Sequence, residues 1–484
     1  MKAVNGHLRA TPAGKPSDVP VFHRFMRLFL LLQWMALVAA LNGCASLPDV
    51  RDLAKELDPD PVPTVATANG ELPPAKVESL LSQRLHGAKK TDLKQLAALE
   101  EAATGSPLIA GNKVTLLFDG PRTISAMMEA IAGARDHVNL ETYIFDDDEV
   151  GKKFADLLMA KQRAGVQVNI LYDSLGSMDT PRKFFEHLRS AGINIVEFNP
   201  VNPVRNPKHW HLNNRDHRKI LIVDGKIGFT GGVNISADYS HSSLFRSGSR
   251  ARRGQQLGWR DTHIRVEGPA VAELQLLFMS NWAGQEKEAL PDLDYFPPLK
   301  PVGDKVMRII ASKPNGNFAI YKAFVLAMQQ SQASIHITNA YFAPDVQMLE
   351  ALKAAAGRGV DVKIIFPAKS DVGLSFYAGR SFYTELLHAG IHVYELQGSV
   401  LHAKTSVIDS AWSTIGSANL DMRSFLLNSE VTAVVLDKEF GLSMESAFRE
   451  DLSHSQEILL DEWQQRGVLE RIKESGARSL DYFL

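Results

Sequence analysis

The chain carries two copies of one eighteen-residue motif, and this duplication constrains the fold more than any other feature. The first copy runs from His217 to Asn234 and the second from His402 to Asn419. In both copies a Lys lies two residues after the His, an Asp seven, a Gly fourteen and an Asn seventeen. Two complete copies that agree at every offset are far less probable by chance than one short motif. The chain is therefore expected to contain two related structural units.

The predicted secondary structure repeats together with the motif. In the first half, residues 138–145, 166–172 and 193–198 have the apolar, β-branched pattern of strands, and residues 150–164 and 181–191 have the pattern of amphipathic helices. The second half follows the same order at a spacing of about 190 residues, which is the size of a domain rather than of a solenoid repeat. This alternation predicts an α/β fold.

A cluster of prolines between residues 291 and 301 interrupts the pattern and marks the boundary between the halves. We predict two tandem α/β domains, residues 108–297 and residues 298–484, each with a mixed sheet flanked by helices. Each domain holds only one of the two histidine motifs. The active site is therefore expected at the interface of the domains, with the motif strands facing each other about a pseudo-twofold axis.

The two motif histidines, His217 and His402, suit a reaction at a phosphodiester. A neutral imidazole can attack phosphorus, and a second imidazole in its protonated form can supply a proton to the departing oxygen. The motif lysines and asparagines would neutralise and hydrogen-bond the non-bridging phosphate oxygens without a metal ion. These four residues are Lys219, Lys404, Asn234 and Asn419. On a strand, each His and the Lys two residues later face the same side.

The motif aspartates, Asp224 and Asp409, lie seven residues after their histidines. On a regular strand an odd offset points a side chain to the opposite face. Each aspartate also precedes a turn residue, Gly225 or Ser410, which it could cap. We therefore predict a structural role for both aspartates and assign neither a proton transfer.

The duplicated H-x-K-x4-D motif with its trailing G-G/S-x-N resembles the phospholipase D superfamily. The second copy continues from Asn419 through Ser424 to Asn428 and Glu430, and this continuation resembles the bacterial cardiolipin synthase branch. The resemblance extends from about Val114 to the end of the chain. It implies the following catalytic motif residues: His217, Lys219, Asp224, His402, Lys404 and Asp409.

The resemblance also implies a mechanism and a set of substrates. His217 would attack a donor phospholipid, and His402 would protonate the leaving alcohol and then activate a hydroxyl of phosphatidylglycerol to give cardiolipin. Phosphatidylglycerol is the expected substrate, with phosphatidylethanolamine as a second donor. No spacing typical of metal ligands occurs in the chain, and we expect no cofactor.

Two acidic residues after the motifs, Asp261 and Glu430, are further candidates. The resemblance implies that each accepts a hydrogen bond from a catalytic imidazole, which fixes the tautomer of the ring and raises its basicity. We expect each acid to serve the histidine of its own half, so that Asp261 orients His217. A surface ion pair is the alternative role for either acid.

The start of the chain has the pattern of a bacterial lipoprotein signal. Residues 28–41 are apolar, Arg24 and Arg27 precede them, and the sequence L-x-G-C ends at Cys44, the single cysteine of the chain. We predict a signal peptide over residues 1–43, with Met26 as an alternative start, and acylation of Cys44. An uncleaved anchor or a buried helix is the alternative. Residues 44–107, rich in proline, are predicted to form a tether.

These features predict a lipid-anchored, periplasm-facing enzyme of the bacterial cell envelope, and Ala45 after the cysteine favours the outer membrane. The polar insert over residues 238–259 holds four arginines and would be a solvated loop or a basic lip for anionic lipid headgroups. The 53 basic and 55 acidic side chains give no overall attraction to nucleic acid, which disfavours a nuclease. A phospholipase D-type hydrolase and a non-catalytic lipid-binding scaffold remain alternatives, and the oligomeric state stays open.

Overall fold

The computed structural model describes residues 46–57, 62–87, 92–202, 204, 211–240, 258–285 and 289–480. The predicted signal peptide, Cys44 and most of the arginine-bearing insert lie outside these residues. Within them, no helix combines the length and the apolar character needed to cross a bilayer.

The segment ahead of the first half forms short elements: α1 (Leu53–Glu56), β1 (Val65–Thr67), β2 (Gly70–Glu71), α2 (Pro74–Arg84) and α3 (Leu93–Thr104). The first half follows with β3 (Leu108–Leu117), α4 (Gly120–Gly133), β4 (His137–Thr142), α5 (Glu149–Arg163), β5 (Gln167–Asp173), α6 (Arg182–Ser190), β6 (Asn194–Phe198), β7 (Arg215–Asp216), β8 (Ile220–Val223), β9 (Ile227–Gly231), a 3-10 helix (Ala237–Tyr239), β10 (Trp259–Arg260), β11 (His263–Glu267) and α7 (Val271–Ala283).

The second half repeats this order with a few additions. Its elements are β12 (Lys305–Ser312), α8 (Ala319–Gln330), β13 (Ser334–Asn339), β14 (Phe342–Ala343), α9 (Val346–Gly357), β15 (Asp361–Pro367), α10 (Gly373–Ser381), α11 (Tyr383–His388), β16 (His392–Leu396), β17 (Val400–Leu401), β18 (Lys404–Ile408), β19 (Trp412–Gly416), β20 (Leu420–Asp421), α12 (Met422–Leu426), β21 (Asn428–Leu436), α13 (Lys438–Ser453), β22 (Ser455–Ile458), α14 (Leu460–Gln464) and α15 (Val468–Arg478).

The strands of the two halves pair in the same order. The first half runs β6, β5, β4, β8, β9, β11, β3 across the sheet, and the second runs β16, β15, β13, β18, β19, β21, β12. In each half the first three strands are parallel and the others antiparallel, so the sheet is mixed. The predicted α/β repeat with a mixed sheet and flanking helices is thereby confirmed.

Equivalent local signals start and end the matching helices. Asp148 caps α5 by accepting hydrogen bonds from the backbone N–H groups of the first helical turn, and Asp345 does the same for α9. Gly165 and Gly359, just beyond the two helices, have φ values of 90° and 86°, a conformation that glycine adopts without steric cost. In both halves the chain therefore turns from the helix into the next parallel strand in the same way.

The two half-sheets are joined edge to edge and share one core. Strand β3 pairs antiparallel with β12, so the sheet is continuous through the centre of the molecule. Side chains of α7 and α13, such as Phe278 and Phe440, belong to one buried cluster with strands of both halves. Leu47–Leu484 forms one compact unit. The division between residues 297 and 298 therefore stays a prediction about the repeat.

The described part of residues 44–107 corrects the prediction of a tether, because it is folded against elements of both halves. Strand β1 pairs parallel with β3, and α3 buries Leu93, Leu96 and Leu99 in the core that also holds α8. The proline content by itself predicts an extended chain. Pro74 instead occupies the first position of α2, where its fixed φ angle favours a helix and no hydrogen bond is lost.

Buried polar contacts fix α3 to the second half. The indole N–H of Trp412 donates to Glu100 Oε1 at 2.6 Å, and Arg308 donates to the carbonyl of Ala97 at 2.8 Å. Burial raises the pKa of Glu100 to about 7, although the nearby Arg308 opposes the rise. Both partners of α3 are themselves fully buried, so the contact is part of the core.

If α3 is part of the core, Leu96→Ala should lower the free energy of unfolding by about 2 to 5 kcal/mol, because a large buried side chain leaves a cavity. Gln95→Ala, on the exposed face of the same helix, is the matched control and should change it by no more than about 0.5 kcal/mol. Urea unfolding of both variants measures the difference. Equal stabilities would mean that the segment is a tether after all.

Candidate active site

Two short parallel strand pairs bring the motifs of the two halves together. Strand β7, immediately before His217, pairs with β21, which carries Glu430 further along the chain. Strand β10, immediately before Asp261, pairs with β17, which leads into His402. The histidine segment of each half therefore lies beside the acidic segment of the other half.

The first histidine is oriented by the acid of the second half. His217 Nδ1 lies 3.0 and 3.1 Å from the two carboxylate oxygens of Glu430, and the backbone N–H of His217 donates to the carbonyl of Ser429 at 3.0 Å. The side chains of Ser417 and Asn428 also donate to Glu430. The ring of His217 thus faces the site with its Nε2 atom.

The second histidine is oriented by the acid of the first half. His402 Nδ1 lies 2.7 Å from Asp261 Oδ2, and the backbone N–H of His402 donates to the carbonyl of Arg260 at 2.8 Å. The Tyr239 hydroxyl lies 3.2 Å from the same Nδ1 atom, and Lys404 Nζ lies 3.0 Å from it. The Nδ1 atom of His402 therefore has three polar neighbours, whereas the Nδ1 atom of His217 faces the carboxylate of Glu430.

The expectation that each acid serves the histidine of its own half is wrong. Asp261 pairs with His402, and Glu430 pairs with His217. The reason is the exchange of strands, since β7 and β10 find their partners in the opposite half. The order of residues along the chain gives no sign of this exchange. In both pairings the end of a strand from one half meets the end of a strand from the other half.

The motif lysines lie on the histidine side of their strands, as predicted. Lys219 Nζ donates to the carbonyl of His217 at 2.6 Å and lies 5.1 Å from the centre of the Tyr143 ring. Lys404 Nζ donates to the carbonyl of His402 and lies 5.9 Å from the centre of the Tyr341 ring. Burial lowers the pKa of Lys219 to about 7 and lowers that of Lys404 as well.

The motif asparagines line the same cavity but have different partners. Asn234 accepts a hydrogen bond from the backbone N–H of Ile144 at 3.2 Å and donates to the Tyr239 hydroxyl at 2.9 Å. The Asn419 Oδ1 atom is buried and has no hydrogen-bond partner among the described residues. The second asparagine is therefore less constrained than the first.

The motif aspartates lie outside the cavity. The Asp224 carboxylate accepts backbone N–H groups at 2.8 to 3.1 Å from residues 135–137, ahead of β4. Asp409 accepts the equivalent groups at 2.7 to 3.0 Å from residues 332–334, ahead of β13. Both have positive φ angles, 52° and 51°. They hold the start of a neighbouring strand, whereas the sequence suggested that they cap their own turns.

The cavity between the motifs has a volume of about 330 Å³ and is lined by both halves. Besides the histidines and asparagines, its walls contain side chains that the sequence analysis did not select: Tyr143, Trp259, Tyr341, Asp371 and Arg423. The two tyrosines follow equivalent strands, β4 and β13, so the repeat itself held a signal for them. The positions equivalent to Trp259 and Arg423 hold different residue types, Asn428 and Asp238, so the repeat gives no signal for them.

Comparison with known proteins identifies the family. A family profile described as cardiolipin synthase, PLD-like domain, matches residues 127–243 and 325–452. The cardiolipin synthase of Halalkalibacterium halodurans is 36% identical over 393 residues, which cover 80% of this chain and 76% of the relative. The chain belongs to the cardiolipin synthase family. The major cardiolipin synthase of Bacillus subtilis is also similar, at 37% identity over 376 residues, which cover 77% of this chain and 76% of the relative.

A solved structure shares the fold of this cardiolipin synthase family member. The phosphatidylserine synthase of Haemophilus influenzae matches with a TM-score of 0.55 and 13% sequence identity, over 77% of this chain and 95% of that chain. The likeness concerns the fold, and it agrees with the phospholipase D-like architecture of two related halves.

The electrostatic settings of the two histidine–acid pairs differ. Burial lowers the pKa of His217 to about 4 and holds that of His402 well below its ordinary value. Burial alone would raise the pKa of Glu430, but the charges of His217 and Lys219 bring it down to about 2. Burial raises the pKa of Asp261, and Lys404 opposes that rise. Glu430 is therefore the more firmly ionised carboxylate.

The low pKa of His217 predicts a pH-dependent stability. The unfolded chain, with a histidine pKa near 6.5, binds a proton that the folded chain rejects until about pH 4, so stability should fall as the pH drops through this window. His217→Asn should make the slope shallower by up to about 1.4 kcal/mol per pH unit. Urea unfolding of both proteins between pH 4 and 6.5 measures the slopes. Identical slopes would show that His217 titrates normally in the folded state.

Proposed function

We propose that this protein makes cardiolipin by moving a phosphatidyl group from a donor phospholipid to a hydroxyl group of phosphatidylglycerol. The observation that carries the proposal is the pair of buried imidazoles, His217 and His402, which face one cavity from opposite halves of a chain in the cardiolipin synthase family. Two such groups provide a nucleophile and a proton donor on opposite sides of a bound phosphodiester.

In the first step His217 is the nucleophile. Its Nδ1 atom faces an ionised carboxylate, which favours the tautomer with the proton on Nδ1 and the lone pair on Nε2. The low pKa of His217 keeps this ring neutral at pH 7. The Nε2 lone pair attacks phosphorus, and the bond from phosphorus to the headgroup oxygen breaks.

His402 supplies the proton for the departing headgroup alcohol. Its Nδ1 atom lies 2.7 Å from the Asp261 carboxylate, which accepts the Nδ1 proton of the protonated ring and leaves the Nε2 proton for the departing oxygen. A bound phosphodiester adds a negative charge beside the ring and raises its pKa towards the value that an acid needs. The firmly ionised Glu430 beside His217 and the raised pKa of Asp261 beside His402 support this division of roles.

The lysines and asparagines stabilise the charge that develops on phosphorus. Lys219 and Lys404 lie beside the histidines in a buried site, where a bound phosphate favours their protonated forms and their charge acts more strongly than in water. The side chains of Asn234 and Asn419 border the cavity and can donate to the non-bridging oxygens. No further group is required to hold the pentavalent phosphorus.

The second step reverses the first with a different alcohol. His402, now neutral, takes a proton from a hydroxyl of phosphatidylglycerol, and the resulting oxygen attacks phosphorus. The bond from phosphorus to His217 Nε2 breaks, and its electron pair returns to the ring. Cardiolipin leaves, and both histidines regain their starting protonation states. With phosphatidylglycerol as the donor the first product is glycerol, and with phosphatidylethanolamine it is ethanolamine.

Product analysis tests the proposal directly. The purified full chain is given labelled phosphatidylglycerol, with or without phosphatidylethanolamine, and the lipids are identified by mass spectrometry. We expect cardiolipin together with free glycerol, or ethanolamine where that lipid is the donor. His217→Ala is the control and should give neither product. Phosphatidic acid in place of cardiolipin would identify a hydrolase, and no product would favour a non-catalytic lipid-binding protein.

The crossed pairing predicts which acid serves which step. Asp261→Asn should impair protonation of the leaving group by His402, so a phosphatidyl ester of p-nitrophenol, which leaves without a proton, should recover much of the first step. Glu430→Gln should impair the nucleophile His217 and show no such recovery. General acid catalysis typically contributes on the order of a hundred- to ten-thousandfold, so the contrast is measurable as release of nitrophenolate. Recovery in Glu430→Gln alone would reverse the roles of the two histidines.

The position of the covalent bond is the direct readout of these roles. In His402→Ala the nucleophile remains, and the second step is slowed because its base is missing. Acid quench followed by mass spectrometry should then find the phosphatidyl group on the peptide that contains His217. Its presence on the His402 peptide of His217→Ala would contradict the assignment.

The family places the protein at a bacterial membrane, and we propose that acylation of Cys44 anchors it there on the periplasmic side. Cys44→Ser should abolish labelling by a fatty acid analogue and leave a precursor of slower mobility on a gel. Met26→Leu in the same experiment tests whether translation starts at that residue. Unchanged labelling and mobility in Cys44→Ser would remove the lipoprotein hypothesis and leave catalysis untouched.

A further inference from the structure

The C-terminal helix α15 exposes apolar side chains on one face. Val468, Leu469 and Ile472 are 72%, 65% and 62% exposed. Ile472 lies four residues after Val468 and three after Leu469, so it shares one side of the helix with both. The opposite face is buried through Glu474 and Ala477. An amphipathic helix normally turns its apolar residues inwards, so this outward face requires a partner.

The N-terminal end of α15 lies on the active-site side of the helix, because α15 packs alongside α10 in the same direction. Lys473 Nζ donates to the Tyr377 hydroxyl at 3.1 Å, and Arg478 donates to the carbonyl of Ser381 at 3.4 Å. The residue numbers of these partners differ by 96 and 97, so the two helices run in register. Their N-terminal ends therefore lie together.

The N-terminal end of α10 forms part of the cavity wall. Val372 and Ser375 line the cavity that contains the histidines, and Val372 and Leu374 are 41% and 42% exposed. The register of the helices places Val468 beside this end. Exposed apolar side chains thus occur both at the mouth of the active site and on the neighbouring end of α15. We call this set the apolar rim: Val372, Leu374, Val468, Leu469 and Ile472.

We propose that the apolar rim is the surface by which the protein inserts into the lipid bilayer that holds its substrate. The inference rests on the proposed function, since a phospholipid donor lies in a bilayer. A cavity of about 330 Å³ accommodates a phosphate and headgroup, and the two acyl chains must stay outside it. A rim that enters the membrane beside the cavity mouth lets the headgroup reach His217 while its chains remain among other lipids.

Size and charge favour a bilayer over a protein partner. Stable protein interfaces use about 20 to 30 residues on each side, whereas the apolar rim has five. Arg471 is exposed on α15 between Leu469 and Ile472, and a cation next to inserted apolar side chains suits an interface with anionic phosphatidylglycerol headgroups. Helices that lie in a membrane surface have this combination of features.

Single labels test the surface, since Cys44 is the sole cysteine of the chain. In the full chain carrying Cys44→Ser, Ile472→Cys is labelled with a fluorophore that responds to polarity. Leu442→Cys is the matched control, because Leu442 is an apolar helix residue that is 50% exposed. It follows Gly441, which lies against Ser410, beyond the end of β18 opposite to His402. Vesicles of phosphatidylglycerol and phosphatidylethanolamine are then added.

We expect the emission from position 472 to shift to shorter wavelength and rise on the vesicles, and the emission from position 442 to stay unchanged. No shift at position 472, or equal shifts at both positions, would overturn the proposal. A shift at position 472 that needs no vesicles and grows with protein concentration would identify a second copy of the chain as the partner and would also overturn it.

An activity measurement separates this proposal from the proposed function. The double variant Leu469→Glu and Ile472→Glu should make cardiolipin on vesicles at least tenfold more slowly, because two inserted apolar side chains become charged. With short-chain phosphatidylglycerol below its micelle concentration, its rate should stay within about twofold of the parent protein. Equal loss on both substrates would contradict a role in membrane contact. Insertion at position 472 without any cardiolipin in the parent would leave the surface intact and refute the function.

Discussion

The hydrogen bonds between each histidine and the carboxylate of the opposite half are the interactions on which the rest of the site depends. They need β7 to pair with β21 and β10 with β17, and those pairings need the continuous sheet through β3 and β12. The two halves are therefore related in structure and also complete each other chemically. A half that folded by itself would place a histidine in a site without the acid that orients it.

The duplication produces a nearly symmetric site, and a few residue differences between the halves make the surroundings of its two acids unequal. The second copy has Ser417 where the first has Gly232, and Asn428 where the first has Trp259. Both replacements add a donor to Glu430. At the Gly232 position a side chain would collide with the Asp261 carboxylate. The two acids therefore differ in their hydrogen-bond partners, and under the proposed mechanism this difference distinguishes the two histidines.

Much of the fold could be predicted from the sequence because most elements occur twice, once in each half, with the same pattern of apolar residues. The helices over residues 149–163 and 182–190 and their flanking strands were expected within a few residues of their observed limits. The motif histidines and lysines were found because their spacing is local. The partners of the acids were assigned wrongly, since the hydrogen bond from His217 to Glu430 joins residues 213 positions apart. No local pattern reports such a contact.

The segment before the first half was also misread, for a different reason. Its proline-rich composition predicts a linker, but the apolar residues between the prolines, such as Val50, Val65 and Leu81, are buried. Amino-acid composition does not distinguish proline at the start of a helix from proline in an extended linker. Only the burial of the intervening residues distinguishes the two.

The docking of α3 on Trp412 has a consequence for the order in which the chain can fold. The two partners are separated by 312 residues, so a chain growing from its N-terminus presents the apolar side of α3 long before β19 has been made. Local contacts cannot cover that surface, and long-range contacts form slowly. A newly made chain therefore exposes the apolar side of α3, and it would benefit from a chaperone until its second half has been made.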